Sequence, residues 1–522
     1  MLAINRRALL RLSAASSAVA LVPTVLAQTS ETGVSQSATA NPDFKPDYEL
    51  ELTATETSAK LFSGSLTQLW KYEAKVLQGD PRVLEWTHGS QFPVIRVRQG
   101  QSLRIYFHNK LPEESIIHWH GMHMPQKMDG HPMYAIAPGQ TFVYEFTVNM
   151  RAGTYWFHPH PHHRTGAQVY RGLAGLLIIE DDESLQTGLP NGKHERVWVL
   201  QDRQFNRDNQ LVYASMRMEM MMGFTGDRVL VNGLPDHVEQ LGNTVYRIRL
   251  LNGSNSRFYK LAWNDARVMT VIGSDGGLLA SPVDKPYVML APAERIDLWL
   301  DLSKDKPGQD LKLVSLAFTS GSMGTGMGMG GMGMGMRGMG GGMSASGVEM
   351  EVLTIQIEGG AQPSQDLPKT LSTINWPRIE EAVNANNPRT IRLQMGMGTV
   401  SLNDRTFEMH ETTDDETVRA GTTEVWQFVN TSGHMGMSHP MHIHNAQFKV
   451  IERIQDPGQQ SITSTMQDGL VDEGWKDVVI VMPGEQVKIL IRFNNHIGIY
   501  LYHCHILEHE DLGMMRNYLV QA

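Results

Sequence analysis

The single cysteine of this 522-residue chain, Cys504, sits between two histidines in the run His503-Cys504-His505-Ile506-Leu507-Glu508-His509. Met514 follows it by ten positions. A thiolate, imidazoles and a weak thioether together form the donor set of a blue-copper site. Residues 497–501, just before the run, are β-branched and aromatic, so 503–505 is expected to end a strand. Side chains on a strand alternate between its two faces. Cys504 then points one way while His503 and His505 point the other, and two metal positions would be joined through a few covalent bonds. Three more clusters lie far away in the chain: His118-Trp119-His120-Gly121, His158-Pro159-His160 and His439-Pro440-Met441-His442-Ile443-His444. Each holds a His-x-His pair, which sets two imidazoles on one side of an extended segment. An isolated pair is more often structural or superficial. Four clusters of one type exclude that reading and demand a fold that gathers them.

In type, spacing and order the four clusters resemble the four copper signatures of the multicopper oxidases. By motif position the resemblance makes His439, Cys504 and His509 the equatorial type 1 copper ligands, with Met514 axial. His118 and His442 match the type 2 ligands. His120, His158, His160, His444, His503 and His505 match the six ligands of the type 3 pair. The implied cofactors are four copper ions: one type 1, one type 2 and two type 3. The resemblance implies electrons taken singly at type 1 copper and dioxygen reduced to water at the other three. Dioxygen reduction consumes protons, and a carboxyl group beside such a centre can relay them. Asp129, in Met128-Asp129-Gly130, resembles the acid the family places near its trinuclear cluster; the plain alternative is a turn cap before Gly130. Glu510, directly after His509, resembles an acid on the water path of the bacterial copper-efflux oxidases; the plain alternative is a solvated side chain. His108, His123, His131, His162 and His163 lie near the motifs without matching a ligand position, and surface or supporting roles are expected for them.

The remainder of the chain reads as β structure. Short β-branched or aromatic runs bounded by Gly, Pro and Asn recur at 92–97, 102–108, 140–148 and 173–180. A second set lies at 196–201, 245–251, 268–272, 295–300, 311–318 and 348–357, and a third at 390–394, 424–429, 447–454, 477–481 and 487–493. Such spacing suggests sandwiches or barrels. The resemblance sharpens this to an all-β chain of three cupredoxin-like, Greek-key domains at 47–183, 190–360 and 389–522, with 361–388 as connection. The motifs fall only in the first and third. A trinuclear site is therefore expected between those two, with type 1 copper inside the third.

The start of the chain reads as an export signal over 1–27, with Arg6-Arg7-Ala8-Leu9-Leu10-Arg11, an apolar run, and Val25-Leu26-Ala27 before Gln28. The paired arginines resemble a twin-arginine signal, and a general secretory signal is the alternative. A periplasmic protein is expected, with a flexible leader over 28–46. Formal charge is −10 for the whole chain, and loss of Arg6, Arg7 and Arg11 with the signal leaves −13. That balance argues against nucleic acid and favours cations. No stretch approaches the length of a membrane span, one cysteine cannot form an internal disulfide, and a monomer is expected.

Residues 321–343 hold twelve glycines, eight methionines and three others. Such a stretch cannot pack a core. Thioether prefers Cu(I), so Met323, Met327, Met329, Met332, Met334, Met336, Met339 and Met343, in an insertion spanning 321–347, read as a copper-gathering surface. Met435 and Met437 precede His439 where an electron donor should dock. Met216, Met218, Met220, Met221 and Met222 around Glu219 either gather copper or line a strand. Methionine-rich insertions resemble those of the bacterial copper-efflux oxidases, whose best-known members carry them in the third domain. The reading is oxidation of Cu(I) with dioxygen as acceptor and a role in copper tolerance. A laccase acting on phenolic or pigment substrates, and a copper-free envelope scaffold, are the alternatives.

Overall fold

In the computed structural model the described residues are 39–89, 91–319, 347–360, 365–396, 398–430, 436–459 and 463–522. The export signal, most of the expected leader, the glycine–methionine insertion (Met323 to Met343) and Met435 lie outside them. The expected runs form strands, most within a residue or two of their bounds, though 196–201 extends to Phe205 and 311–318 stops at Ser315, because β-branched and aromatic side chains fit a pleated surface buried on one face or both.

Among the described residues six sheets pack as three two-sheet sandwiches, each around its own apolar core. The first pairs the sheet Thr67–Gln78, Tyr48–Ala59, Ser102–Asn109, Thr141–Thr147 with the sheet Leu84–Trp86, Pro93–Arg98, Gly175–Glu180, Gly153–Pro159, Ile117–His120. The third pairs a sheet centred on Thr423–Asn430 with the sheet Thr417–Arg419, Met515–Gln521, Gly498–Cys504, His439–Ile443, Val478–Val481. The second holds Glu195–Phe205, Val245–Asn252 and Arg295–Asp301 at the centre of one sheet, and Asp310–Ser315 beside Met350–Glu358 in the other. Neighbouring strands are often distant in sequence, as in the parallel pairing of Tyr48–Ala59 with Ser102–Asn109, so chain order alone does not give the sheet order. A small apolar seam of Phe92, Trp156, Val199, Leu251, Ala293 and Val478 joins all three units.

Helices are few and short among the described residues: α1 (Thr165–Tyr170), α2 (Asp182–Gln186), α3 (Arg217–Met222) and α4 (Leu507–Asp511), besides single 3₁₀ turns. Three differences from expectation have clear causes. The hairpin Tyr48–Ala59 and Thr67–Gln78 escaped the strand reading because glutamates, threonines and lysines interleave its apolar positions, one face being open to solvent. The stretch expected as a flexible leader is tied down at its end: Arg104 donates to the carbonyls of Asn41 (2.7 Å) and Phe44 (2.9 Å). Finally, the methionines at 216–222 line a helix, opened by Glu219 accepting from the Met216 amide (3.0 Å) and closed by Gly223 at φ +72°.

Candidate metal centre

Strand pairing brings the ligand candidates together. In the third unit Met441 lies opposite Cys504 and His442 opposite His503. In the first, His118 lies opposite His158. The two motif-bearing sheets then meet, so that His118 and His442, 324 residues apart, bring their Nε2 atoms to 3.3 Å. His444 and His503 approach through Nε2 at 3.1 Å, and His160 and His503 at 3.5 Å. His120 stacks on His442, His118 stacks on His444, and His158 and His505 close the group. All eight rings are buried.

On the opposite face of the strand Gly498–Cys504, the Cys504 sulfur lies 3.4 Å from His439 Nδ1 and 3.6 Å from His509 Nδ1. The Ile506 amide donates to the sulfur at 3.5 Å. Met514 is buried in the same core, and its carbonyl accepts from the Cys504 amide. The alternation expected at 503–505 is observed: Cys504 groups with His439 and His509, and His503 groups with His160 and His444.

Carbonyl and carboxylate acceptors fix the outward nitrogens of five of the eight histidines. His118 Nδ1 donates to the Asp129 carbonyl (2.6 Å), His442 Nδ1 to the Asp477 carbonyl (2.8 Å), and His158 Nδ1 to the Pro159 carbonyl (2.9 Å). His444 Nδ1 donates to Asp129 Oδ2 (2.7 Å) and His120 Nε2 to Asp477 Oδ1 (3.0 Å). Each bond leaves the other ring nitrogen facing inward with its lone pair free. His120 therefore presents Nδ1, whereas the others present Nε2. Second-layer acceptors of this kind orient metal-binding imidazoles and raise their basicity.

Asp129 is buried, and its side chain holds a histidine of the third unit, so its role is more than capping the turn before Gly130. That turn is itself demanding: Gly130 has φ +91°, and a Cβ there would fall 2.2 Å from the Ile117 carbonyl oxygen. Glu510 is buried, not solvated, with its carboxyl oxygens 3.5 Å from His160 Nε2 and 3.3 Å from His503 Nδ1. Burial pushes both carboxyls well above the usual range. The sequence reading missed Asp477 and Arg295 as functional groups. Arg295 clamps Asp477 with two bonds of 2.6 Å in a fully buried pair that joins the second unit to the third. The only signal was Asp477 itself in the Gly474-Trp475-Lys476-Asp477 stretch; nothing local marks Arg295 as its partner.

None of the accessory histidines falls in a donor group among the described residues. His108 Nδ1 meets Thr141 Oγ1 at the edge of a sheet, and His131 bonds Asn517 inside the protein. His123 donates its amide to the Met150 sulfur. His162 and His163 stack on one another, and His163 Nδ1 donates to the Asp511 carbonyl at 2.7 Å. Met437 is half-buried against the third core, with its carbonyl accepting from Asn430.

The donor atoms fit copper. Burial pushes the imidazoles of the eight-histidine group below their ordinary range, to about 3 for His158 and about 4 for His503, so they are neutral near pH 7. Inward nitrogens at 3.1–3.5 Å without a shared proton repel unless a cation lies among them. His120 Nδ1, His158 Nε2 and both nitrogens of His505 are buried without protein partners. Burial also pushes the Cys504 thiol up, so a metal is needed to make it a thiolate. Imidazole and soft sulfur donors suit copper.

Sequence models of the multicopper oxidases match residues 73–184 and 381–522. The chain is 32% identical over 424 residues to multicopper oxidase mco of Staphylococcus haemolyticus, covering 81% of this chain and 80% of that protein. It is 27% identical to a laccase of Bacillus subtilis over 83% of this chain and 89% of the laccase. Among solved structures, the multicopper oxidase McoA of Aquifex aeolicus superposes with a TM-score of 0.76 at 35% identity, covering 92% of this chain and 97% of that one. The fold is thus that of the three-domain copper oxidases. This chain belongs to the multicopper oxidase family, enzymes that oxidise a reducing substrate with dioxygen as acceptor.

Proposed function

We propose that the reducing substrate is Cu(I), and that the two clusters divide the work as their donors suggest. His439, Cys504, His509 and Met514 form the type 1 site. His118 and His442 form the type 2 site, and His120, His158, His160, His444, His503 and His505 form the type 3 pair. Copper bound there, four ions in all, supplies one-electron transfer at the sulfur site and dioxygen reduction at the histidine site. Overall, four cuprous ions, one dioxygen and four protons give four cupric ions and two waters.

The chain's own residues supply the rest. Cys504 is bonded through the backbone to His503 and His505, which gives electrons a covalent path between the sites. Asp129 and Glu510, buried against ring nitrogens of the histidine group, are placed to hold and pass protons. A single chain supplies every donor of both clusters, which supports a working monomer. The signal-like run at 1–27 supports export to the periplasm and a role in copper tolerance.

One observation carries the choice of Cu(I). The outward edge of His509 does not open to solvent: the residue is fully buried, and its Nε2 donates to the Met221 carbonyl at 3.0 Å. Helix α3 therefore covers the electron-entry ligand, which hinders a bulky phenol. The same helix and its cap show solvent the thioethers of Met218 and Met216, 61% and 58% exposed, which are soft donors suited to Cu(I). The 321–347 insertion, with Met323, Met327, Met329, Met332, Met334, Met336, Met339 and Met343, and also Met435 and Met437, would add to the gathering surface.

The test is oxygen uptake by copper-loaded protein, with Cu(I) or a phenol as sole reductant. The parent is compared with a Met216→Ser/Met218→Ser variant and a 322–345 deletion. Fast Cu(I)-driven uptake that falls severalfold in the variants is expected. Slow Cu(I) turnover beside brisk phenol oxidation in all three would instead make the protein a laccase whose methionines serve something else.

A further inference from the structure

Among the described residues the second unit contributes no donor to either cluster, yet it grips the helix that carries His509 at five points. Helix α4 spans only five residues, too few to hold its own orientation. Its first amide, Leu507 N, donates to the Asn255 carbonyl at 3.1 Å. Glu508 is fully buried among groups of the second unit. Its Oε1 accepts from Tyr213 Oη (2.7 Å) and Asn255 Nδ2 (2.9 Å), and its Oε2 accepts from Ser256 Oγ. The fifth point is the bond from His509 Nε2 to the Met221 carbonyl. The first unit holds the other end, where the Thr165 and Gly166 amides donate to Asp511 at 3.0 and 2.9 Å.

No Lys or Arg pairs with Glu508 among the described residues. A buried carboxylate with only neutral donors is an unfavourable choice for packing alone. Its bonds do fix the roll of α4 about its axis, and with it the next side chain, His509. That ring must reach Cys504 with one nitrogen and the Met221 carbonyl with the other, so a small rotation loses one contact or both. The end of α3 rests on the same group: a Cβ at Gly223 would lie 2.8 Å from Ser256 Oγ and 3.2 Å from Ile506 Cγ2.

We propose that Glu508, through Tyr213, Asn255 and Ser256, is a positioning residue for the type 1 site. It holds the His509 ring between Cys504 and the Met221 carbonyl, so the second unit sets both the ligand geometry and the seat of the methionine helix. This rests on the assignment of His509 as a type 1 ligand.

The experiment compares copper-loaded parent, Glu508→Ala, Glu508→Gln, Tyr213→Phe and Ser256→Ala. The readouts are copper content, the blue absorption band, the copper hyperfine splitting in electron paramagnetic resonance, and KM against kcat for Cu(I). Glu508→Ala is expected to keep its copper, shift the band and the splitting, and raise KM for Cu(I) about tenfold. Glu508→Gln, whose carbonyl oxygen still accepts from Tyr213 and Asn255 and whose amide NH2 donates to Ser256 Oγ in place of the lost acceptor, restores most of both. Should Glu508→Ala not fold, Tyr213→Phe and Ser256→Ala, each removing one bond, carry smaller shifts in the same direction. Variants less stable than the parent but identical to it in band, splitting and KM would overturn the proposal. A parent without a blue band would overturn the type 1 assignment instead.

Discussion

The two clusters share a strand and little else. The donors of the sulfur cluster come from one sandwich: His439 and Cys504 lie on paired strands, and His509 follows Cys504 by five residues on α4. The histidine cluster is built between two sandwiches, four rings from each, and depends on how the first and third units dock. The donors of the first all come from one domain, with the second unit orienting one of them, whereas the donors of the second come from two. A change within the third unit can therefore remove the sulfur site alone. The histidine site should fail when the buried groups that hold its rings, such as Asp477, are disturbed.

The largest expected effect separates the two outright. Cys504→Ser removes the one thiolate while leaving the eight rings and their acceptors in place. Blue absorption and Cu(I)-driven oxygen uptake should fall to background while copper analysis still finds metal in the histidine cluster; retained uptake would break the division of labour. Next is Asp477→Ala. It strips the acceptor from His120 and leaves Arg295 buried without its main partner, for which breaking a buried pair costs about 3–5 kcal/mol. Copper in the histidine cluster should weaken about 10–100-fold with the blue band nearly unchanged. Loss of both signals together would mean that the sites are not separable.

The smallest effect concerns the joint between the first two units. Burial pushes the Glu195 carboxyl up, but Arg249, Arg247 and Arg96 outweigh it and hold it at about 2, below the ordinary 4.5. A lowered folded value means stability that is whole above about pH 4.5 and is lost as the pH falls toward 2. The full contribution is about 3 kcal/mol. Glu195→Gln should flatten the melting temperature of the parent between pH 5 and pH 3. Because Arg96 and Glu195 span two units, acid should release copper from the histidine cluster before the sulfur cluster; the reverse order would contradict the comparison.

The legible parts were those in which a local pattern implies a local result. Alternation at 503–505 placed Cys504 and His503 on opposite faces, and the structure does so. The β-branched runs became strands. Less was legible wherever the meaning of a residue lies in a partner far along the chain. Asp129 could be suspected from its motif, but not that its carboxylate would hold His444, 315 residues away. Methionines at 216–222 read as gathering copper or lining a strand, and the helix that Glu219 and Gly223 bound against His509 was not legible.

Sequence by itself determined the chemistry: which donors exist, their pairing on extended segments, and a family whose fold gathers them. Tertiary structure alone decided which nitrogen of each ring faces inward, that Arg295 supports Asp477, and that the second unit grips α4 through Glu508. The reason is physical. Donor identity and strand alternation are set by covalent structure and neighbours one or two residues away. Ring orientation and helix roll are set by hydrogen bonds between groups that only folding brings within 3 Å.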